Sequence, residues 1–151
     1  MLQIHLINER IAMKLSARNH LETTITSITE GLVNAEIDLE MKGGQKLASI
    51  ITLASTQRLG LKVGQTAYAI VKASNVMIGD FTGKISARNT IPCQVSAVTK
   101  GKVSAEITLD AGGETLVSVI TLQSCDNLGL EAGKEVYAVV KASEVIVGVP
   151  E

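Results

Sequence analysis

One short hydrogen-bonding segment occurs twice in the chain, first as Lys14-Leu15-Ser16-Ala17-Arg18-Asn19 and again as Lys84-Ile85-Ser86-Ala87-Arg88-Asn89. Each copy sets a hydroxyl, a guanidinium and an amide close together, with no acid and no aromatic between them. Such a set donates many hydrogen bonds to an anion and offers little for catalysis. Two further polar features recur against an apolar background. Lys72-Ala73-Ser74 has its mate in Lys141-Ala142-Ser143, and Thr52, at the end of an apolar run, has its mate in Thr121. Arginine presents a fork that matches oxyanion geometry, and lysine is a compact point charge. Two positive charges suit a dianion, and hydroxyls and backbone N–H groups fill its remaining acceptor sites. Charge-assisted hydrogen bonds contribute about 1.5–3 kcal/mol each. Micromolar binding, about −8 kcal/mol, is therefore within reach after ordering and desolvation costs. Lys72 closes a strand-like apolar run, which predicts a packed stem and an ammonium aimed at one place. A plainer reading stands beside this one: Ser-Ala-Arg-Asn as a solvated turn and Lys-Ala-Ser as a strand end. Spacing alone does not decide between them.

The elements that must position these residues are also duplicated. Residues 14–79 align with 84–148, and about half of the aligned positions are identical. Lys14 maps onto Lys84, an offset of 70, whereas Leu47 maps onto Leu116, an offset of 69, so one residue is lost at the Gly-Gly turn between them. Asp80-Phe81-Thr82-Gly83 is left as a linker so short that the two copies must touch. Residues 1–12 have no counterpart before the second copy and read as an N-terminal extension. The division expected is therefore 1–12 extension, 13–79 first domain, 80–83 linker and 84–149 second domain. Within a copy the pattern is β. Val33, Ala35, Ile37 and Leu39 alternate with Asn34, Glu36, Asp38 and Glu40, a period of two with one face buried and one wet. Gly43-Gly44 marks a hairpin turn, and residues 47–53, 65–73, 75–78 and 21–29 read as further strands. Only residues 54–59 read as helix, opened near Thr52 and closed by Gly60. Five strands and one short helix per copy suit a small closed barrel of the OB type, in which closure removes sheet edges.

Composition narrows the function classes. Of 151 residues, 46% are hydrophobic but only 2% aromatic, so the core must be built from Val, Ile, Leu and Ala. The formal charge of −1 and pI of about 6.1 lack the basic excess of a nucleic-acid surface. Phe81, Tyr68 and Tyr137 do not interleave with basic residues, so a single-strand binder has no stacking platform. Cys93 and Cys125 form no CxxC pair and read as ordinary thiols of a reducing compartment. His5 and His20 lack partners at zinc-ligand spacing. No apolar run approaches the roughly 20 residues of a membrane span, and no leader pattern opens the sequence, so a cytoplasmic location is expected. No nucleophile–base pair or acid pair with catalytic spacing recurs. Glu36 and Glu106 do recur, but each falls in a period-two strand and reads as a solvated face.

Taken together, Ser-Ala-Arg-Asn, Gly-x-Val-Asn/Ser-Ala-Glu, the Ile-Thr-Leu strand end and Val-Lys-Ala-Ser-x-Val-x-x-Gly resemble the molbindin (Mop) family, the molybdate-binding TOBE domains, here in tandem. The resemblance covers nearly all of 13–149. It implies an OB-like barrel per copy and an intracellular store or buffer of molybdate, with tungstate as a mimic. It also implies an assembly of six domains, hence a homotrimer of this chain, with no nucleic acid, membrane, catalytic cofactor or metal ligated as such. In the family the first segment of one domain meets the Lys-Ala-Ser of a neighbour. Carried over, Ser16, Ala17, Arg18 and Asn19 would face Lys141, Ala142 and Ser143, and Ser86, Ala87, Arg88 and Asn89 would face Lys72, Ala73 and Ser74. Thr52 and Thr121 match the family's strand-end threonine in the same pocket. A second class of site, near the three-fold axis, would fall at the turns of Gly31 and Ala35 and of Gly101 and Ala105. Selectivity against sulfate would come mainly from pocket size, since charge and shape are alike. The runner-up function is a molybdate-responsive regulatory or interaction module acting on a partner protein. Two departures stand out. Asn75 becomes Glu144, whose carboxylate strand alternation would turn away from the anion, and Asn34 becomes Ser104.

Overall fold

A computed structural model of the chain describes residues 15–17 and 19–150. Arg18, Met13, Lys14 and the 1–12 extension lie outside the described residues. The first repeat runs β1 (Asn19–Glu30), β2 (Asn34–Met41), β3 (Lys46–Thr52), helix α1 (Leu53–Leu59), β4 (Thr66–Val71), a 3-10 turn (Ala73–Asn75) and β5 (Met77–Gly79). The second repeats it as β6 (Asn89–Lys100), β7 (Ser104–Ala111), β8 (Glu114–Thr121), α2 (Leu122–Leu128), β9 (Glu135–Val140), a 3-10 turn (Ala142–Glu144) and β10 (Ile146–Gly148). The chain is all-β, with two curled five-stranded antiparallel sheets and one short helix per repeat.

Period two sets the faces. Ala35, Ile37, Leu39 and Met41 of β2 are buried, while Asn34 between turn and strand is exposed. Val33 departs from the expected pattern. It sits in the β1–β2 turn and is 72% exposed, while its carbonyl accepts from the Leu53 N–H at 2.8 Å and holds the turn against the start of α1. β1 serves two neighbours. Residues Asn19 to Thr24 pair with β4, and Thr23 to Glu30 pair with β2, with a bulge between Ile25 and Ser27. A bulge increases local twist and bends the strand, which lets one strand join two walls of a curled sheet. The same irregularity recurs between Val95 and Ala97.

The lost residue is located in the second hairpin. In the first repeat the Met41 N–H bonds to the Gln45 carbonyl, giving a three-residue loop through Lys42, Gly43 and Gly44. In the second, Ala111 pairs directly with Glu114 across Gly112 and Gly113, both with positive φ (63° and 96°). A two-residue loop of this hand matches strand twist and needs two residues tolerant of positive φ, which glycine supplies.

The fifth strand is where the sequence reading is corrected. Residues 75–78 were expected to close their own sheet. The sheet orders are β10-β4-β1-β2-β3 and β5-β9-β6-β7-β8. Each repeat therefore receives its fifth strand from the other: Ile146 lies opposite Ile70, and Met77 opposite Val139. The short linker makes this the near partner. Phe81 stacks on Tyr137 with ring centroids 5.1 Å apart, and Asp80 pairs with Lys134 at 3.0 Å, fixing the crossing point on the second repeat. Each ladder order leaves the third strand and the borrowed strand at its two ends. That seam is bridged by side chains: the Ser49 hydroxyl donates to the Val145 carbonyl (2.6 Å), and Ser118 donates to Val76 (2.5 Å). One continuous apolar core results, spanning Ile25, Ile37, Leu39 and Val76 together with Val95, Ile107, Leu109 and Val145. Each such side chain contributes about 1.5–3 kcal/mol on burial, so the two repeats are stabilised jointly.

Candidate functional site

Strand register brings the recurring polar segments together. Asn19 lies opposite Val71, and Asn89 opposite Val140. In antiparallel strands the residues preceding each asparagine therefore run toward the Lys-Ala-Ser of the same repeat. In the second repeat Ser86, Ala87 and Arg88 line one cleft with Lys141, Ala142 and Ser143. The cleft encloses about 630 Å³, and its other walls are apolar, with Ile50 and Met77 from the first repeat and Ile85 and Val139 from the second. This corrects the pairing carried over from the resemblance. Within one chain Ser86, Ala87 and Arg88 meet Lys141, Ala142 and Ser143 rather than Lys72, Ala73 and Ser74, because β6 pairs with β9. In the first repeat the register puts Lys72, Ala73 and Ser74 just beyond Val71, next to the segment of Ser16 and Ala17; Arg18 lies outside the described residues.

The local fold explains the presentation. β9 ends at Val140, and Lys141 opens the 3-10 turn with extended backbone (φ −68°, ψ 137°). The turn's hydrogen bonds begin at the Glu144 N–H, which reaches the Lys141 carbonyl at 2.9 Å. The N–H groups of Ala142 and Ser143 therefore have no acceptor within the turn. Ala142 packs inward at 6% exposure, and Ala73 does the same in the first repeat, while Lys141, Ser143, Lys72 and Ser74 are exposed. The expected packed lysine stem is thus corrected: what is anchored is the alanine beside it. The cleft gathers a guanidinium, an ammonium, two hydroxyls and unspent backbone donors.

Arg88 is not idle. Its Nη1 donates to Oε1 of Glu36 at 2.5 Å, and its Nη2 donates to Oε2 at 3.0 Å. This hydrogen bonding holds the Glu36 carboxyl below its ordinary value and raises the arginine's own. Asp38, two residues on, is pushed up, first by burial and then by the charge of Glu36. Reading Glu36 as a solvated face missed this contact. The available signal was its retention as Glu106 inside the shared Ala-Glu-Ile.

Asn89 and Asn19 do structural work that their chemistry concealed. Asn89 Oδ1 accepts from the Ala48 N–H (2.7 Å), and its Nδ2 donates to the Ala48 carbonyl (2.8 Å). Asn19 makes the same pair of bonds to Val117, at 2.7 and 2.8 Å. Both asparagines are 2% exposed, and each stitches its segment to the third strand of the other repeat.

Thr52 and Thr121 stand outside this cleft in one chain, because each is committed to a helix. Thr52 Oγ1 accepts from the Ser55 N–H at 3.0 Å, and Thr121 from the Ser124 N–H at 3.1 Å, as N-caps of α1 and α2. Thr121 lines a separate cleft with Lys102, Val103 and Asp126. The turns expected near an axial site expose apolar side chains, with Leu32 at 99% and Val103 at 80%. Glu144 is directed to Asn75, whose Nδ2 donates to its carboxylate at 3.0 Å. It does so from a 3-10 turn and not from the alternating strand assumed for it. Cys93 and Cys125 are buried, and burial pushes the Cys93 thiol up to about 11, so it stays protonated. Among the described residues no group of three or more His, Cys, Asp or Glu is placed to hold a metal ion, and no helix is long and apolar enough to cross a membrane.

Comparison with known proteins places the chain. The TOBE domain model matches twice, over residues 15–78 and 85–147. The chain is 42% identical over 143 residues to the molybdenum-pterin-binding protein MopA of Rhodobacter capsulatus, covering 93% of this chain and 54% of that protein. It is 35% identical over 145 residues to the molybdenum transport protein ModE of Herbaspirillum seropedicae, again covering 54% of the relative. The chain thus spans about half the length of these curated relatives. Among solved structures it is similar to the cytoplasmic molybdate-binding protein ModG in its molybdate-bound form, with a TM-score of 0.88 at 42% identity, covering 91% of this chain and 100% of that one.

Proposed function

Because this chain belongs to the TOBE-domain family, as a tandem pair of the molbindin type, we propose that it binds molybdate as an intact tetrahedral dianion and serves as an intracellular store or buffer for it. Tungstate, of like size and charge, would occupy the same sites. The observation that carries this reading is the single cleft holding Arg88, Lys141, Ser86 and Ser143. The two cations match the ligand's two charges. The hydroxyls and the N–H groups of Ala142 and Ser143 supply directional donors to its oxygens. In this reading the corresponding residues of the first repeat, Ser16, Ala17, Lys72, Ala73 and Ser74, together with Arg18, which lies outside the described residues, are assigned to a second site of the same kind. Asn19 and Asn89 hold these segments in place. Nothing in this chemistry requires bond breaking, and the role is binding without catalysis.

The functional unit in this reading is a homotrimer carrying six domains, divided in each chain as 13–79 and 84–149, in the cytoplasm. The exposed Leu32, Val33 and Val103 support an assembly, since apolar side chains presented at turn tips suit burial against another copy. In such an assembly a neighbouring chain can bring Thr52 or Thr121 toward a cleft that one chain leaves open. Isothermal titration with molybdate, against sulfate as control, tests the binding. Saturable heat with molybdate and much weaker heat with sulfate is the expected result, and no heat with molybdate rejects the reading. Native mass spectrometry reports chain count and anion count together, with three chains expected.

A further inference from the structure

The arginine of the second-repeat cleft is already engaged by a carboxylate of the first repeat. Glu36 stands on β2 opposite Ile50, and Ile50 itself lines the cleft. Nη1 and Nη2 of Arg88 each give one N–H to Glu36, at 2.5 and 3.0 Å, out of the five donors a guanidinium carries. A two-donor edge of this kind also fits a tetrahedral oxyanion, so carboxylate and anion draw on the same guanidinium. An arriving anion therefore either displaces the carboxylate or binds beside it. In either case the negative charge of a carboxylate paired with the same guanidinium opposes the binding of a dianion. Nor is Glu36 buried out of reach, because its side chain keeps 28% of its surface and Arg88 keeps 51%. The neighbouring charges do not cancel the effect. Asp38 adds a second carboxylate two residues along β2, Lys46 on β3 acts on Asp38, and Lys141 sits across the cleft.

We infer that Glu36 is a built-in competitor for the anion: it holds Arg88 in position while the cleft is empty, and its charge lowers affinity so that bound anion is released. The inference rests on reading the cleft as an oxyanion site, and it assigns to a residue outside the ligand's donor set the control of how tightly that site holds. A store benefits from such a device, because a ligand gripped by full complementarity leaves slowly.

Glu36→Gln removes the charge but keeps the shape and one acceptor for Arg88, so the guanidinium stays placed. Molybdate titration and stopped-flow release are measured on wild type, Glu36→Gln, Glu36→Ala and Arg88→Ala, with folding of each checked by circular dichroism. Glu36→Gln is expected to tighten at least one class of sites threefold or more and to slow release, Glu36→Ala is expected to tighten binding less, and Arg88→Ala is expected to weaken it. Wild-type binding with Glu36→Gln unchanged or weaker overturns the inference and makes Glu36 only a prop for Arg88. Absence of molybdate binding by wild type overturns the site reading and the inference with it.

Discussion

At Asn89 a side-chain amide stands in for a peptide group, completing both backbone bonds of Ala48 on an edge that its own sheet leaves open. Truncation to alanine leaves a buried N–H and a buried carbonyl without partners. Each such orphan costs about 1–3 kcal/mol, so Asn89→Ala should destabilise by about 2–4 kcal/mol in urea unfolding, and a loss under 1 kcal/mol would count against the stitching role. The sequence showed the chemistry of this residue but not its target, because an amide that suits an oxyanion suits a peptide equally well. The Glu36–Arg88 pair makes a prediction of sign. Arg88 holds the Glu36 carboxyl below its ordinary 4.5. A depressed carboxylate contributes stability in full above its unfolded value and loses it as pH falls through the folded one. Glu36→Gln should therefore be less stable than its parent at neutral pH, and the difference should fade in acid as Glu36 takes up its proton. The comparison belongs in an Asp38→Asn background, since Asp38 is held above its ordinary range partly by Glu36. Thermal melts from pH 7 to pH 3 measure it, and a difference that persists unchanged in acid rejects the ion pair as its source.

The two helices begin the same way at the level of elements. Thr121 caps α2 through its hydroxyl, and no acidic residue in the first turn assists it. Thr121→Ala should cost about 1 kcal/mol and Thr121→Ser much less, read as shifts in the unfolding midpoint. Helix and strand positions were largely legible. The period of two along β2 and the Thr52 to Gly60 bracket are local signals that local physics obeys. The 3-10 turns were not. Val71 and Ala73 are buried and Lys72 and Ser74 exposed, and such alternation reads as continued strand. What breaks the strand is the need for Val76 to enter the other repeat's core while the chain crosses over, a tertiary demand with no local signature. The same blindness misplaced Glu144, which alternation assigned to one face and the turn delivers to Asn75.

In the whole molecule, neither repeat owns its fifth strand. Which copy a closing strand joins was not legible, because Met77-Ile78-Gly79 and Ile146-Val147-Gly148 carry the same pattern and fit either sheet; only the brevity of the linker hinted at contact. A fragment ending at Gly83 lacks β10, and its own β5 has no β9 to join. That fragment should either unfold or recover a dimer by mutual exchange, and light scattering after chromatography distinguishes these from a folded monomer, which would contradict the exchange. Covalent duplication makes the partner permanent, at an effective concentration set by a four-residue tether. The exchange also bears on synthesis. β4 ends at Val71, but the strand that covers its edge begins at Ile146. With elongation at about 5–20 residues per second, the first repeat waits several seconds on the ribosome with β4 uncovered. An open edge of this kind invites pairing with other chains. The interval between the emergence of β4 and that of β10 is therefore a stage at which this chain is exposed to misassembly, and β10 ends the exposure.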